Sequence, residues 1–500
     1  MSPLVERDGR DLRGRYVDEA DVVVVGSGPA GAAVARNLAH RGVRVLVLEE
    51  GHEARPADFA PSAVRAMASL YRDMGTSLAF GNAPMPYLQA RVVGGTSVVN
   101  GAISWRFPRE ALDEWIAADP AIGEGLRYEA IAAAEARIEE RLHVAPTDVR
   151  VAGPKNLLLA RGADALGVAH RAIRRNVRGC TGEGRCLQGC PHGHKLSMDL
   201  SFLPDAVGRG ARILAGMRVD RVIVERGRAR GVAGVTAAGA RFEVRAKHAV
   251  VLAASAIQTP CVLRRSGLPQ GGAGDGLAAH PGVSVTGRFA EPVRNWRGAT
   301  QGHEVIGYRG EGIKLEALGF DVSLLASRIP GVGRDFARRL AEIDRYAVWG
   351  AALRARGRGK VRPGPTRPIV TYSLTDDDVR KARRAVRLLG DVMLAAGALE
   401  VYPGIPGFDP AVRDRAHMAR IEAEGSLAAS DYTMSMTHLF GTARMGSDPA
   451  RSVVRPDFRH HATDALYVAD SSVFPGNLGV NPQIAIMALA DLCADRVAVA

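Results

Sequence analysis

The sequence predicts an α/β fold in two parts. One is a parallel sheet flanked by helices, with an antiparallel meander inserted; the other is an α+β part in which a sheet is backed by helices. Three observations carry this. Residues 21–51, DVVVVGSGPAGAAVARNLAHRGVRVLVLEEG, read as strand, glycine turn, helix, strand. The continuous apolar run at 22–25, with the pattern repeated at 43–48, suits strands covered on both faces, as parallel strands are. Residues 218–253 alternate strand-like pieces with turns at Gly227 and around Gly239, the pattern of a meander that returns into a buried strand. Residues 369–374, followed by a helical pattern over 377–396 with Val379, Ala382, Val386 and Leu389 on one face, predict the sheet and the helix behind it.

Composition sets the limits. With 500 residues, 47% of them hydrophobic and 24% charged, the chain is long enough for two or three globular domains, and disorder or a fibre is excluded. No apolar run reaches the roughly 18 residues of a membrane span, and the N-terminus has no apolar core of the kind a secretory leader needs. The expectation is a cytoplasmic protein without a membrane span. The net charge of +13 comes mostly from arginine, clustered at 171–178, 354–367 and 380–387 without interleaved aromatics. That describes a solvated basic surface, and no nucleic-acid partner is expected. Five cysteines do not suggest a disulfide framework, yet Cys180, Cys186 and Cys190 are crowded together.

In chain order, residues 1–20 read as a surface arm or a short strand added to the first sheet. Gly26, Gly28 and Gly31 then form G-x-G-x-x-G. The first glycine serves the tight turn, the second the close approach of a pyrophosphate, and the third the packing of helix on strand, which makes this a Rossmann-type unit. The phosphates would meet the free N–H groups and the positive end of the helix, with no basic side chain in the loop. Glu49 ends the second strand where an acid accepts from a ribose, with Glu50 its neighbour. Residues 56–86 have the Pro- and Gly-punctuated composition of a long connection or lid. Gly94, Gly95, Thr96 and Ser97 form a second loop able to bring N–H groups against a cofactor. Residues 112–144 show helical spacing. The expected division is an arm at 1–20, a discontinuous cofactor domain at 21–111, 172–287 and 435–500, and a helical segment and substrate domain at 112–171 and 288–434.

Several of these pieces together carry a family resemblance. GGTSVVNG at 94–101, including Asn100 and Gly101, HLFGTARM from His438, VADSS around Asp470, and GVNPQ with Asn481, Pro482 and Gln483 resemble segments of the glucose-methanol-choline oxidoreductases. The resemblance runs from about Asp21 to Ala490, interrupted in the substrate part. It implies FAD as cofactor, with Val219 offering its backbone to the adenine and Asp470, Pro482 and Gln483 as further contacts. In the family's A-A-G-A-x-x-[ST]-P segment, Ser255 stands where a glycine is usual. The resemblance also implies His438 as base and Asn481 as the second active-site residue. Alcohol oxidation needs a proton acceptor as the hydride leaves for flavin N5, and an imidazole with a reference pKa near 6.5 suits that role. The Asn481 amide can hold the alcohol oxygen without competing for the proton. The expected reaction is oxidation of a CH–OH group in a small alcohol, sugar or sterol-like substrate, with oxygen, a quinone or a protein as external acceptor. A non-redox lyase of the hydroxynitrile lyase type is the alternative. A flavin-binding module without turnover fits less well, since both polar positions are filled.

The cysteines form C-x5-C-x3-C-P. Four readings stand: thiols in a structural loop, a redox-active disulfide, a Cys3His zinc site with His192 or His194, or an iron–sulfur cluster. Pro191, Gly193 and Lys195 extend a similarity to bacterial sugar dehydrogenases of this family, which implies a [3Fe–4S] cluster on Cys180, Cys186 and Cys190. It would pass electrons to an acceptor docked by Arg174, Arg175 and Arg178.

Overall fold

The computed structural model describes residues 4–269 and 271–498. The apolar runs around the glycine turn become the centre of an eight-stranded sheet. Across it the strands lie in the order Arg7–Asp8, Arg212–Ala215, Val45–Leu48, Tyr16–Val25, Arg241–Leu252, Arg228–Thr236 and Met217–Glu225, and Leu466–Val468 joins the end of Arg241–Leu252. The middle of the sheet is parallel: Val22 pairs with Val45, Val23 with Val250, and Leu46 with Arg212. The meander strands pair antiparallel. This is the parallel sheet with a meander insertion that the sequence predicts.

Helix Pro29–His40 follows the glycine turn and buries Ala32, Ala33, Val34, Ala35 and Leu38. Its small side chains let it pack closely against the C-terminal helix Gln483–Ala498. Helices Arg109–Ala118 and Tyr128–Arg141 add Leu112, Trp115, Ile131, Ala134, Ile138 and Leu142 to the same core. Of the other apolar residues with that spacing, Ala130 is exposed.

The second sheet has nine strands, ordered Ile369–Ser373, Arg358–Arg362, Asp275–Arg288, Tyr346–Leu353, Ile313–Leu318, His303–Val305 and His170–Ala172, with Glu400–Tyr402 and Met434–Phe440 also on Asp275–Arg288. Strands Asp275–Arg288 and Met434–Phe440 lie largely in segments that the sequence reading gives to the cofactor domain, yet by their pairing they are members of this sheet. Behind it lies helix Asp376–Ala395, which begins at a capping box between Thr375 and Asp378 and buries Val379, Ala382, Val386 and Leu389. The connection after the first unit is a folded cover. Helix Ala63–Leu70 contributes Ala66 and Leu70 to a small core with Phe59, Tyr71, Val92, Val98 and Val99, and the short hairpin Leu78–Ala79/Met85–Pro86 buries Ala79 and Met85 in the core of the second sheet.

Candidate active site

A cavity of about 820 Å³ runs from the glycine turn to the second sheet. Its walls bring together Gly26, Gly28, Glu49, Gly95, Thr96, Ser97, Asn100, Gly101, Val219, His438, Asp470, Asn481, Pro482 and Gln483. Gly31 and Gly94 lie behind the wall. A Cβ on Gly31 would fall 1.9 Å from the Gly26 carbonyl oxygen, so this glycine lets the helix sit on the turn. Gly94 has φ +95°, and a Cβ there would meet Val98 and Asp199 at 2.9–3.0 Å.

The two glycine loops are tied to each other by one carboxylate. Glu49 Oε2 accepts from the N–H and hydroxyl of Ser27 at 3.0 and 2.6 Å, and Oε1 accepts from Gly51 N–H at 2.8 Å. The Ser27 hydroxyl in turn accepts from Gly94 N–H at 3.0 Å. Burial raises the Glu49 pKa against these bonds. Glu49 thus lines the cavity while bracing the loops, and Glu50 is engaged by Arg72 at 2.6 Å.

The residues present fit an FAD. Helix Pro29–His40 starts at Gly28 with no side-chain cap and no acid in its first turn, which leaves N–H groups for a pyrophosphate. A Cβ on Gly95 would lie 2.7 Å from the Gly28 Cα, so the two loops form a cradle with room for backbone only. Gln483 is held by Asn100, whose amide donates to its oxygen at 2.5 Å, and the buried Gln483 Nε2 is left without a partner. That orphaned donor faces a ligand or water when the cavity is filled. Asp470 accepts from Ser472 N–H, Ser255 N–H and the Thr259 hydroxyl, at 2.8, 3.0 and 2.5 Å, and so orders the turn at Ser255. Ser255 has φ +85°. It keeps the left-handed backbone that a glycine would take, held by bonds of its hydroxyl to Gln258 and Gln89 at 2.7 and 2.9 Å.

His438 reaches the cavity from an irregular strand. In the pairing of Asp275–Arg288 with Met434–Phe440, Ala279 faces Leu439 and Pro281 faces Met436, so Thr437 and His438 together oppose the single His280. This is a bulge, the device that re-aims a side chain at a site. The Nδ1 atoms of His280 and His438 are 3.0 Å apart, and Gly479 N–H donates to His280 Nε2 at 2.9 Å. A backbone N–H only donates, so neutral His280 carries its proton on Nδ1 and gives it to His438 Nδ1; His438 then carries its own on Nε2. Burial, with the nearby Lys314 charge, lowers the His438 pKa to about 3.

Asn481 is oriented by a buried lysine. Lys314 Nζ donates to Asn481 Oδ1 at 2.6 Å, to Glu316 at 2.8 Å and to Glu304 at 3.3 Å. Glu304 is also held by Trp105 Nε1 and Arg171 Nε, both at 2.9 Å, and Glu316 by Gln301 at 2.8 Å. With its oxygen occupied by a cation, Asn481 has only its amide N–H groups to offer a ligand. Burial would strip Lys314 of its charge, but Glu316 and Glu304 outweigh it and hold the pKa up. None of these supporting residues was singled out from sequence. Glu304, Lys314 and Glu316 sit on strands His303–Val305 and Ile313–Leu318, where no motif marks them; the one available signal was a strand carrying Lys and Glu at positions that should be apolar.

The cysteine expectation is corrected. All three thiols line one cavity of about 20 Å³, the scale of a single water. The buried Arg175 guanidinium stands among them, 3.1 Å from Cys186 Sγ and 3.9 Å from Cys180 Sγ. Among the described residues no three His, Cys, Asp or Glu side chains are grouped to hold a metal ion. Neither the [3Fe–4S] cluster nor the zinc site is therefore supported, since a cation occupies the ground between the thiols. All three cysteines are free thiols. Lys195 donates to the carbonyls of Val98, Asn100 and Cys186 at 2.7, 2.9 and 2.9 Å, which ties the cysteine loop to the second glycine loop. Burial raises the Cys186 pKa, but Arg175 and Lys195 outweigh it and leave it lowered.

Models described as GMC oxidoreductase match residues 22–282 and 355–490. An uncharacterised GMC-type oxidoreductase of Mycobacterium tuberculosis is 36% identical over 96% of this chain and 76% of its own. The long-chain-alcohol oxidase FAO1 of Arabidopsis thaliana is 29% identical over 97% of this chain and 67% of its own. Among solved structures, pyridoxine 4-oxidase superposes with a TM-score of 0.70 at 19% identity, covering 95% of this chain and 98% of its own.

Proposed function

Because the chain belongs to the GMC oxidoreductase family, FAD enzymes acting on CH–OH donors, we propose that it oxidises an alcohol whose oxygen sits between His438 and Asn481. The observation that carries this reading is the pairing of Lys314 with Asn481 Oδ1. It leaves amide donors for the substrate oxygen at the far end of a cavity that begins at the glycine turn. Bound FAD would supply the hydride acceptor. Asn481 and the Lys314 charge stabilise the oxygen as its proton leaves. His438 is the proposed proton acceptor. For His438 Nε2 to accept, its proton leaves to solvent, the shared proton moves to His438 Nδ1, and His280 takes one from solvent at Nε2 in exchange, so no proton is gained or lost overall. Gly479 N–H then gives up its bond to that nitrogen.

The test is anaerobic mixing of the FAD-loaded protein with a panel of primary, secondary and sugar alcohols, followed by flavin absorbance. Bleaching by at least one class supports the reading, and dye reduction measured against peroxide formation in air then identifies the acceptor. A flavin that no alcohol bleaches, in a protein that cleaves cyanohydrins, would establish the lyase alternative instead.

A further inference from the structure

The cover and the edge of the second sheet share an outer face that the reaction does not use. Phe80 bridges in parallel to Thr371, and Thr371 pairs with Lys360, so the three lie in one row across adjacent segments. In the neighbouring row Ile369 pairs with Arg362, and in the next Ser373 pairs with Arg358. Side chains two residues apart in a strand share a face, so Leu78 points the same way as Phe80. The buried residues here, Ala79, Val361, Val370 and Tyr372, point to the other side. Leu78 is 41% exposed, Phe80 59% and Ile369 53%. Large apolar side chains thus stand in open solvent beside Arg358, Lys360 and Arg362.

The face continues to the mouth of the large cavity. Pro368 precedes Ile369 and lines that cavity with Pro365, Thr366 and Leu88, and Leu88 is 40% exposed. Met74, 57% exposed, is next in sequence to Asp73, which Arg367 meets at 3.8 Å. Asp73 is matched by Arg367, Asp275 by Arg362 and Asp377 by Arg380, while the exposed Asp376 beside it has no ion pair among the described residues. Among the described residues Lys360 makes no ion pair, and the whole chain carries +13.

We propose that this face rests on an anionic lipid surface, with Leu78, Phe80 and Ile369 entering the headgroup region and the adjacent cations meeting lipid phosphates. Exposed apolar side chains flanked by Lys and Arg, with no helix among the described residues long and apolar enough to span a membrane, are the chemistry of reversible interfacial binding. A protein partner with an acidic rim is the competing occupant. The face built from three segments, its excess of cations and its place at the cavity mouth favour the lipid, because a lipophilic ligand would then pass from bilayer to cavity without crossing water.

The experiment is co-sedimentation of the FAD-loaded protein with vesicles of phosphatidylglycerol and phosphatidylcholine, and with phosphatidylcholine alone. Binding to the anionic vesicles only, released by raising the salt to about 0.5 M, is the expected result. Phe80→Asp and Lys360→Glu should each weaken partitioning by about tenfold, on the scale of one or two kcal/mol per group near a charged surface. FAD content and unfolding temperature should not change. If Phe80→Asp disturbs folding, Ile369→Gln tests the same face from another strand. No vesicle binding, equal binding to neutral vesicles, or binding indifferent to all three substitutions would overturn the proposal. So would a concentration-dependent self-association that Phe80→Asp abolishes in the absence of lipid. The readout is independent of turnover, so it stands whichever alcohol is or is not oxidised.

Discussion

At the scale of single residues, His438 and Asn481 differ in what replacing them removes. His438→Ala should slow flavin reduction by roughly a hundred- to ten-thousand-fold, the range for losing a general base, with FAD still bound. Asn481→Ala removes a donor to the developing oxyanion and should cost about a hundredfold. Stopped-flow reduction of the loaded variants checks both. Lys314→Met should reach further. It strands Glu304 and Glu316, each nearly buried, which for a broken buried pair destabilises by about 3–5 kcal/mol. Denaturant unfolding measures that. The same change takes away one of the influences holding the His438 pKa near 3, so the pKa rises and any acid limb of the rate profile moves to higher pH. In the unsubstituted protein, a histidine pushed below 6.5 takes up its proton in the unfolded chain first. Its contribution to stability is therefore present above pH 6.5 and is lost as pH falls toward 3, at up to about 1.4 kcal/mol per pH unit. The motif residues were legible in sequence because glycine and proline punctuate them. Lys314, Glu304, Glu316 and His280 were not, because a buried charge on a strand is intelligible only once its partners are adjacent.

At the scale of elements, the glycine turn and its helix were readable in detail because each glycine has a distinct steric duty. Gly31→Ala would set a methyl 1.9 Å from the Gly26 carbonyl. Pushing helix from strand should destabilise the protein by about 1–3 kcal/mol and weaken FAD retention, measurable by flavin released on gel filtration. The helix expected at 377–396 forms at Asp376–Ala395, and the strand expected at 369–374 forms at Ile369–Ser373, since both have clean periodicity. Strand Asp275–Arg288 was not legible. Its His280-Pro281 pair reads as a break, and only the bulge opposite makes room for it. Ser255, standing where the family has glycine, has a glycine-like φ of +85° and holds it with the serine hydroxyl.

At the scale of the whole molecule, the cavity spans both sheets, so cofactor and fold are linked. A group that binds only the folded chain adds about 4 kcal/mol when present at a thousand times its Kd. Removing FAD should therefore lower the unfolding temperature, and restoring it should recover the loss; an unchanged midpoint would mean that the cavity does not hold the cofactor tightly. The Glu49 network sets a further condition on this architecture. One carboxylate accepts three bonds, from two groups of Ser27 and from Gly51, and through Ser27 reaches Gly94. An amide has one acceptor atom and would face those donors with hydrogens of its own. Selection for the bare shape of the turn would thus keep an acid at position 49 even in a descendant that had abandoned nucleotides, and an acid at this place in such a lineage would record ancestry rather than present use.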